Sequence, residues 1–260
     1  MKKFFSVILV ILVFAVMADT SSANEWKTLR VGVEGAYPPF SWVKPDGKLA
    51  GFDIDISYAL CEAMGAKCVL VEQDWDGIIP ALLAKKYDCI IASMGITEDR
   101  KKKVAFTDKY YQSPGKFMVK KGTIKDVSRE SLKGKAIGVQ RATIYYQYLK
   151  DNYGTDIKLK LYATQDEVYL DLVAGRLDAG LADSVAVKEG FLNKPEGKDY
   201  EFIGPDLTEP KWFGDGNGIA CRKADTDLVK KLNEAIAKIR ADGTYKKIQD
   251  KYFDFNIYGD

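Results

Sequence analysis

What most restricts the fold of this chain is a rhythm. Short apolar runs, each long enough for one strand, alternate with longer helical patterns, and the rhythm is used twice. LRVGVE (residues 29–34), CVLVE (68–72) and DCIIAS (88–93) read as strands, with helices over 52–64 and 76–85 between them. After a further strand, KFMVKK (116–121), the pattern restarts with KAIGVQ (135–140), a helix over 143–152 and KLKLYA (158–163). A helix over 166–174 then leads into LDAGLAD (177–183), and the chain closes with GIACRK and two helices split at Ala241-Asp242-Gly243. Strands joined by helices of this length form right-handed βαβ units and mainly parallel sheets, which is the α/β class.

The second half echoes the first. LLAKKYDCIIAS (82–93) matches LVAGRLDAGLAD (172–183) in register, and VGVE (31–34) resembles IGVQ (137–140). Two βαβ lobes on one plan account for this better than one large sheet. The expected division is a leader at 1–23, a first lobe from 24–112 and 213–260, and a second lobe at 113–212. No low-complexity linker intervenes, so the connections are expected to be short strands near 110–116 and 209–216.

The leader is read from Met1-Lys2-Lys3, then an almost wholly apolar stretch over 4–17, then Ser21-Ser22-Ala23. Basic start, apolar middle and small residues before a cut make a secretory signal, and the middle falls short of the roughly 20 residues a spanning helix needs. Cleavage is expected between Ala23 and Asn24, with the product outside the cytoplasm. Export makes the cysteines legible. Cys61 and Cys68 flank a helix end stopped at Gly65 and followed at once by a strand, so they can approach, and a disulfide is expected in an oxidising compartment. Cys89 and Cys221 lie inside apolar strand patterns and read as buried free thiols.

Composition removes several function classes. The 260 residues include no histidine, which excludes Ser-His-Asp and Cys-His catalysis and His-ligated zinc. A net charge of +2 gives no overall field for nucleic acid. No Gly-rich phosphate loop precedes a helix, since GDGNG (214–218) leads into a strand pattern and reads as a turn, and no calcium-loop motif is present. No metal, no cofactor and no nucleic-acid partner are expected.

In open parallel sheets, ligands bind at the carboxyl ends of the strands. Those ends carry Glu34, Tyr37, Ser93, Gly95, Thr143 and Asp183, with Trp75 and Arg100 just beyond neighbouring elements. If the lobes face one another, two carboxylates, one guanidinium, two aromatics and several hydroxyl or amide donors line one cleft. Such a set suits a zwitterion with an extra positive charge.

GAYPPFSW, GKLAGFDIDISYAL, DWDGIIPALLAKKYD, SMGITEDRKKKVAFTDKYY, AGRLDA and ADGTYKKIQDKYF together resemble the family 3 extracellular solute-binding proteins. The resemblance is nearest to the lysine/arginine/ornithine-binding branch that feeds polar amino-acid ABC importers. It implies the type II periplasmic binding-protein fold: two Rossmann-like lobes joined by two crossing hinge strands, closing on one amino acid.

Carried over residue by residue, the resemblance places Arg100 on the ligand α-carboxylate, where a planar guanidinium offers two parallel charge-assisted bonds. Thr143, at a helix start, adds hydroxyl and backbone donors to the same group, and Asp183 holds the α-ammonium. Tyr37 and Trp75 sandwich the ligand's stem. Glu34 falls where basic-amino-acid binders carry an acid, commonly Asp, for the distal cation. Ser93 and Gly95 complete the wall. The chain departs from the family pattern in three ways. Glu34 is one methylene longer than Asp, Gly95 replaces a frequent serine, and GVQRATI has Ala142 for a usual glycine and is one residue shorter than some relatives.

The implied function is a monomeric periplasmic receptor for a basic amino acid, arginine first and then lysine or ornithine. It would deliver its ligand to an inner-membrane permease with its cytoplasmic ATPase, and would not be an enzyme. Other polar amino acids or an opine are alternatives. A different class is also open, because the fold can host lyases such as cyclohexadienyl dehydratases; without histidine, the acid or base would be Glu34 or Asp183.

Overall fold

The computed structural model describes residues 26–259; the expected leader and its cut between Ala23 and Asn24 lie outside them. Two five-stranded sheets carry the chain. The first runs β5-β1-β6-β13-β7, from β1 (Thr28–Val33), β5 (Lys67–Glu72), β6 (Cys89–Ile90), β7 (Ala105–Tyr111) and β13 (Asn217–Cys221). The second runs β10-β9-β11-β8-β12, from β8 (Gly115–Lys120), β9 (Ala136–Gln140), β10 (Lys158–Tyr162), β11 (Ala179–Asp183) and β12 (Tyr200–Leu207). In each sheet three strands are parallel and two join antiparallel. A small antiparallel sheet of β2 (Ala36–Tyr37), β3 (Ser41–Val43) and β4 (Leu49–Ala50) caps the end of β1.

Apolar residues cover both faces of each sheet, as buried parallel strands require. In the first, Leu29, Val31 and Val33 pack with α1 (Phe52–Ala63), α9 (Thr226–Ala241) and α10 (Thr244–Gln249), while Ile90 and Tyr87 meet α2 (Ile78–Leu83) on the other face. In the second, Ile137, Val139 and Leu181 face Leu149 of α5 (Ile144–Tyr153), and Val168 and Leu172 of α6 (Gln165–Val173) cover the opposite side. α1 begins at Gly51, whose φ of 130° and contact with Phe40 leave no room for a side chain: a Cβ there would lie 2.2 Å from the Phe40 carbonyl.

The internal echo extends to backbone detail. Lys85 and Gly175 occupy the same left-handed position after α2 and α6, and their N–H groups donate to the carbonyls of Leu82 and Leu172. Three residues on, Asp88 and Asp178 each clasp the first parallel strand: the Asp88 carboxylate accepts from Arg30 N–H, and that of Asp178 from Ala136 N–H. Gly32 and Gly138 are again equivalent, each with the next unit's side chain, Tyr87 or Leu177, pressed where a Cβ would stand.

Two connections link the sheets. The first is continuous extended chain, β7 running through residues 112–114 into β8. The second differs from the expected strand. It contains a helical turn, α8 (Pro210–Phe213), which proline favours at a first helical position, followed by Gly214 and Gly216 at positive φ. The strand expected over 88–93 is shorter than its apolar run, because the chain turns at Ser93, where φ is 53°.

Cys61 and Cys68 lie against one another, close enough for one thiol to hydrogen-bond to the other, but both are free thiols, so the expected bridge is not formed here. Cys89 and Cys221 are fully buried free thiols paired across β6 and β13. Among the described residues, no helix is long and apolar enough to cross a membrane, and no group of three or more Cys, Asp and Glu side chains could hold a metal.

Candidate functional site

All eight site residues expected from the sequence line one cavity of about 360 Å³ between the two sheets. From the first sheet come Glu34, directly after β1, Tyr37 in β2, Trp75 in the 3-10 turn Trp75–Gly77, Ser93 and Gly95 beyond β6, and Arg100 in α3 (Glu98–Lys101). From the second come Thr143 before α5 and Asp183 at the end of β11. Ala92, Gln140, Ile144 and Tyr145 complete the wall, and sequence reasoning missed all four. For Gln140 a signal existed: it is the last residue of IGVQ, the echo of Glu34 in VGVE.

One carboxyl of the lining is Glu34, 7% exposed. Its Oε1 accepts a 2.6 Å hydrogen bond from Gln140 Nε2, which also donates to the Ala163 carbonyl. Burial raises the Glu34 carboxyl to about 7 against the opposing pull of Gln140, with Asp166, Asp53 and Asp74 adding repulsion. A carboxylate so placed gains from an incoming cation.

The cationic residue of the lining is Arg100. Its guanidinium donates to the Gly95 carbonyl at 3.1 Å and lies 5.2 Å from the centre of the Trp75 ring. Desolvation lowers it to about 10. Among the described residues no carboxylate pairs with it, whereas Lys101 and Lys102 of the same basic run are tied to Glu98 and Asp99 at the surface. Beside Arg100, α5 opens toward the cavity with the N–H groups of its first turn, which have no partner within a helix. Thr143 is the N-cap: its hydroxyl accepts from Tyr146 N–H and donates to the Gln140 carbonyl at 2.7 Å. That hydroxyl proton is therefore committed, and an anion here would meet the backbone N–H groups instead.

Asp183 is both cap and wall. Oδ1 accepts from the N–H groups of Val185 and Ala186 at the start of α7 (Ser184–Val187), while Oδ2 accepts from Ser113 in the first connection. Burial raises its carboxyl to about 6, and those hydrogen bonds pull the other way. Tyr37 and Trp75 present buried rings to the cavity, and among the described residues Trp75 Nε1 has no hydrogen-bond partner. A Cβ at Gly95 would meet the tip of the Ile144 side chain, Cδ1, at 3.2 Å.

The two halves touch beside the cavity. Glu34 meets Gln140, and Arg141 Nε lies 2.5 Å from Asp76 Oδ2 at the rim. On the far side, Gly190 packs against the Pro38 carbonyl and Lys188 Nζ lies 5.8 Å from the Phe255 ring. The site thus offers one cation, two carboxylates and the aromatic rings of Tyr37, Trp75 and Tyr145 in one pocket.

Residues 29–255 match the bacterial extracellular solute-binding proteins, family 3. The chain belongs to this family. The solute-binding protein is 50% identical over 234 residues to the L-arginine-binding protein of Pseudomonas aeruginosa, covering 90% of each chain. It is 43% identical over 244 residues to the lysine/arginine/ornithine-binding periplasmic protein of Escherichia coli, covering 94% of each. A Salmonella typhimurium periplasmic binding protein described for its high arginine specificity superposes with a TM-score of 0.80 at 32% identity, over 87% of this chain and 99% of that one. The family's α/β architecture of two lobes around a cleft is that of the solute-binding protein described here.

Proposed function

We propose that this protein is the periplasmic receptor of an amino-acid ABC importer and that it binds a basic L-amino acid, arginine before lysine and ornithine. The observation that carries this reading is the set of charged groups lining one cavity: Arg100 and the α5 N-terminus, Asp183, and Glu34 held by Gln140. An α-carboxylate answers Arg100, an α-ammonium answers Asp183, and a side-chain cation answers Glu34. The stem would lie between Tyr37 and Trp75, whose faces favour methylenes or a flat guanidinium. Arginine leads because its planar, weakly hydrated cation suits both an aromatic face and a desolvated carboxylate. The relatives named for arginine and for lysine, arginine and ornithine support the same ligand class.

In this reading residues 24–112 and 213–260 form one lobe and 113–212 the other, pivoting at the two connections. Closure buries the ligand, and the closed protein, a monomer, docks on an inner-membrane permease coupled to a cytoplasmic ATPase. We read the protein as a binder rather than an enzyme. Both oxygens of Asp183 already accept hydrogen bonds and Glu34 is held by Gln140, so each carboxylate is set to match a charge. A thermal-shift screen of ligand-stripped protein against the twenty amino acids tests the assignment. Arginine, lysine and ornithine should raise Tm, and stabilisation by glutamate or leucine alone would refute it. Turnover of prephenate or arogenate would refute the non-enzymatic reading.

A further inference from the structure

Behind the cavity wall lies a buried acid that does not line the cavity. Asp53, in the first turn of α1, is fully buried. Its Oδ2 accepts from Ser93 Oγ at 2.9 Å, and its Oδ1 accepts from Tyr110 Oη at 2.8 Å. Tyr110 Oη in turn accepts from Ser93 N–H at 3.0 Å, closing a ring of three hydrogen bonds. Tyr110 is itself anchored, its carbonyl accepting from Tyr245 Oη at 2.7 Å. Burial lifts the Asp53 carboxyl to about 7 against the pull of these bonds.

The ring closes on a residue in an unusual conformation. Ser93 has φ of 53°, a left-handed position that residues with a side chain adopt at an energetic cost unless their surroundings hold them there. That turn ends β6 and sends Ser93 and Gly95 along the cavity wall, where the Gly95 carbonyl receives Arg100. We propose that Asp53 is a positioning residue for ligand binding: through Ser93 Oγ it pins the left-handed turn that sets the wall and the orientation of Arg100. The inference rests on the reading of this cavity as the amino-acid site.

A cycle of variants tests it with arginine titrated calorimetrically into ligand-stripped protein. Asp53→Asn should weaken affinity about tenfold, the scale of one lost charge-assisted hydrogen bond. Ser93→Ala keeps the left-handed demand without the tether and should weaken binding similarly. Ser93→Gly adopts that conformation unaided and should lose less affinity than Ser93→Ala. In the Ser93→Gly background, Asp53→Asn should then cost less than about twofold. A structural role alone would lower Tm without this non-additivity. Equal losses from Asp53→Asn in both backgrounds would overturn the proposal. Should Asp53→Asn fail to fold, Ser93→Ala binding no more weakly than Ser93→Gly would overturn it. Parent protein that takes another amino acid contradicts the basic-ligand reading, while the same cycle run with that amino acid still decides the role of Asp53.

Discussion

Gln140 Nε2 donates a 2.6 Å hydrogen bond to Glu34 Oε1 across the cleft, and these two residues hold equivalent positions in the two halves of the chain. One ends VGVE, the other IGVQ. Glu34 follows β1 and Gln140 ends β9, so closing the two halves brings the strand ends, and these side chains, face to face. The pair joins the ligand's expected side-chain subsite to the closed arrangement. Glu34→Gln should weaken a cationic ligand by about thirtyfold or more, the scale of breaking a desolvated charge pair, and leave a neutral amino acid much less affected. Calorimetry with arginine and glutamine on both proteins checks this.

Binding should depend on pH because burial raises Glu34 to about 7 and Asp183 to about 6. Both values lie above those of an unfolded carboxylate, so the folded, empty protein holds more protons than the unfolded chain between about pH 4 and 7. These two groups therefore make the empty protein less stable as pH rises through that window. A basic ligand needs the ionised forms, so its affinity should fall as pH drops below 7. Thermal melts should give a larger arginine-induced rise in Tm at pH 8 than at pH 5.5, and a pH-independent rise would contradict the assignment.

The rim pair of Arg141 and Asp76 joins opposite sides of the cleft but is about two-fifths exposed. Exposed pairs contribute about 1 kcal/mol or less, and salt screens them. Arg141→Ala should raise the ligand dissociation rate by no more than about fivefold, mainly at low salt. Stopped-flow dissociation at two ionic strengths checks it.

Cys61 and Cys68 are adjacent thiols, and export into an oxidising compartment should join them. Protein isolated from the periplasm and denatured without reductant should release two thiols, from Cys89 and Cys221. Release of four would show that the adjacent pair stays reduced. The bridge closes a short loop and should stabilise by about 2 kcal/mol.

Much of this organisation was legible in the sequence because it rests on local pattern. The period of apolar runs and the LLAKKYDC and LVAGRLDA repeats pointed to two similar sheets, and the strand ends pointed to eight residues that line one cavity. What escaped depends on contacts distant in sequence. The helical turn at Pro210 replaced an expected strand because proline suits a helix start there. The commitment of the Thr143 hydroxyl to Gln140 follows from the path of the chain between them. The bracing of Ser93 by Asp53 and Tyr110 joins three segments that no spacing rule connects. Gln140 alone was marked by its echo of Glu34, and its amide was not read as a cavity group.

The central claim is that Glu34 reads a positive charge at the far end of the ligand. Citrulline has the shape of arginine without that charge. Calorimetric titration of ligand-stripped protein with both should give arginine a Kd lower by about a hundredfold or more, consistent with a buried charge pair. Equal affinity for arginine and citrulline would contradict the account.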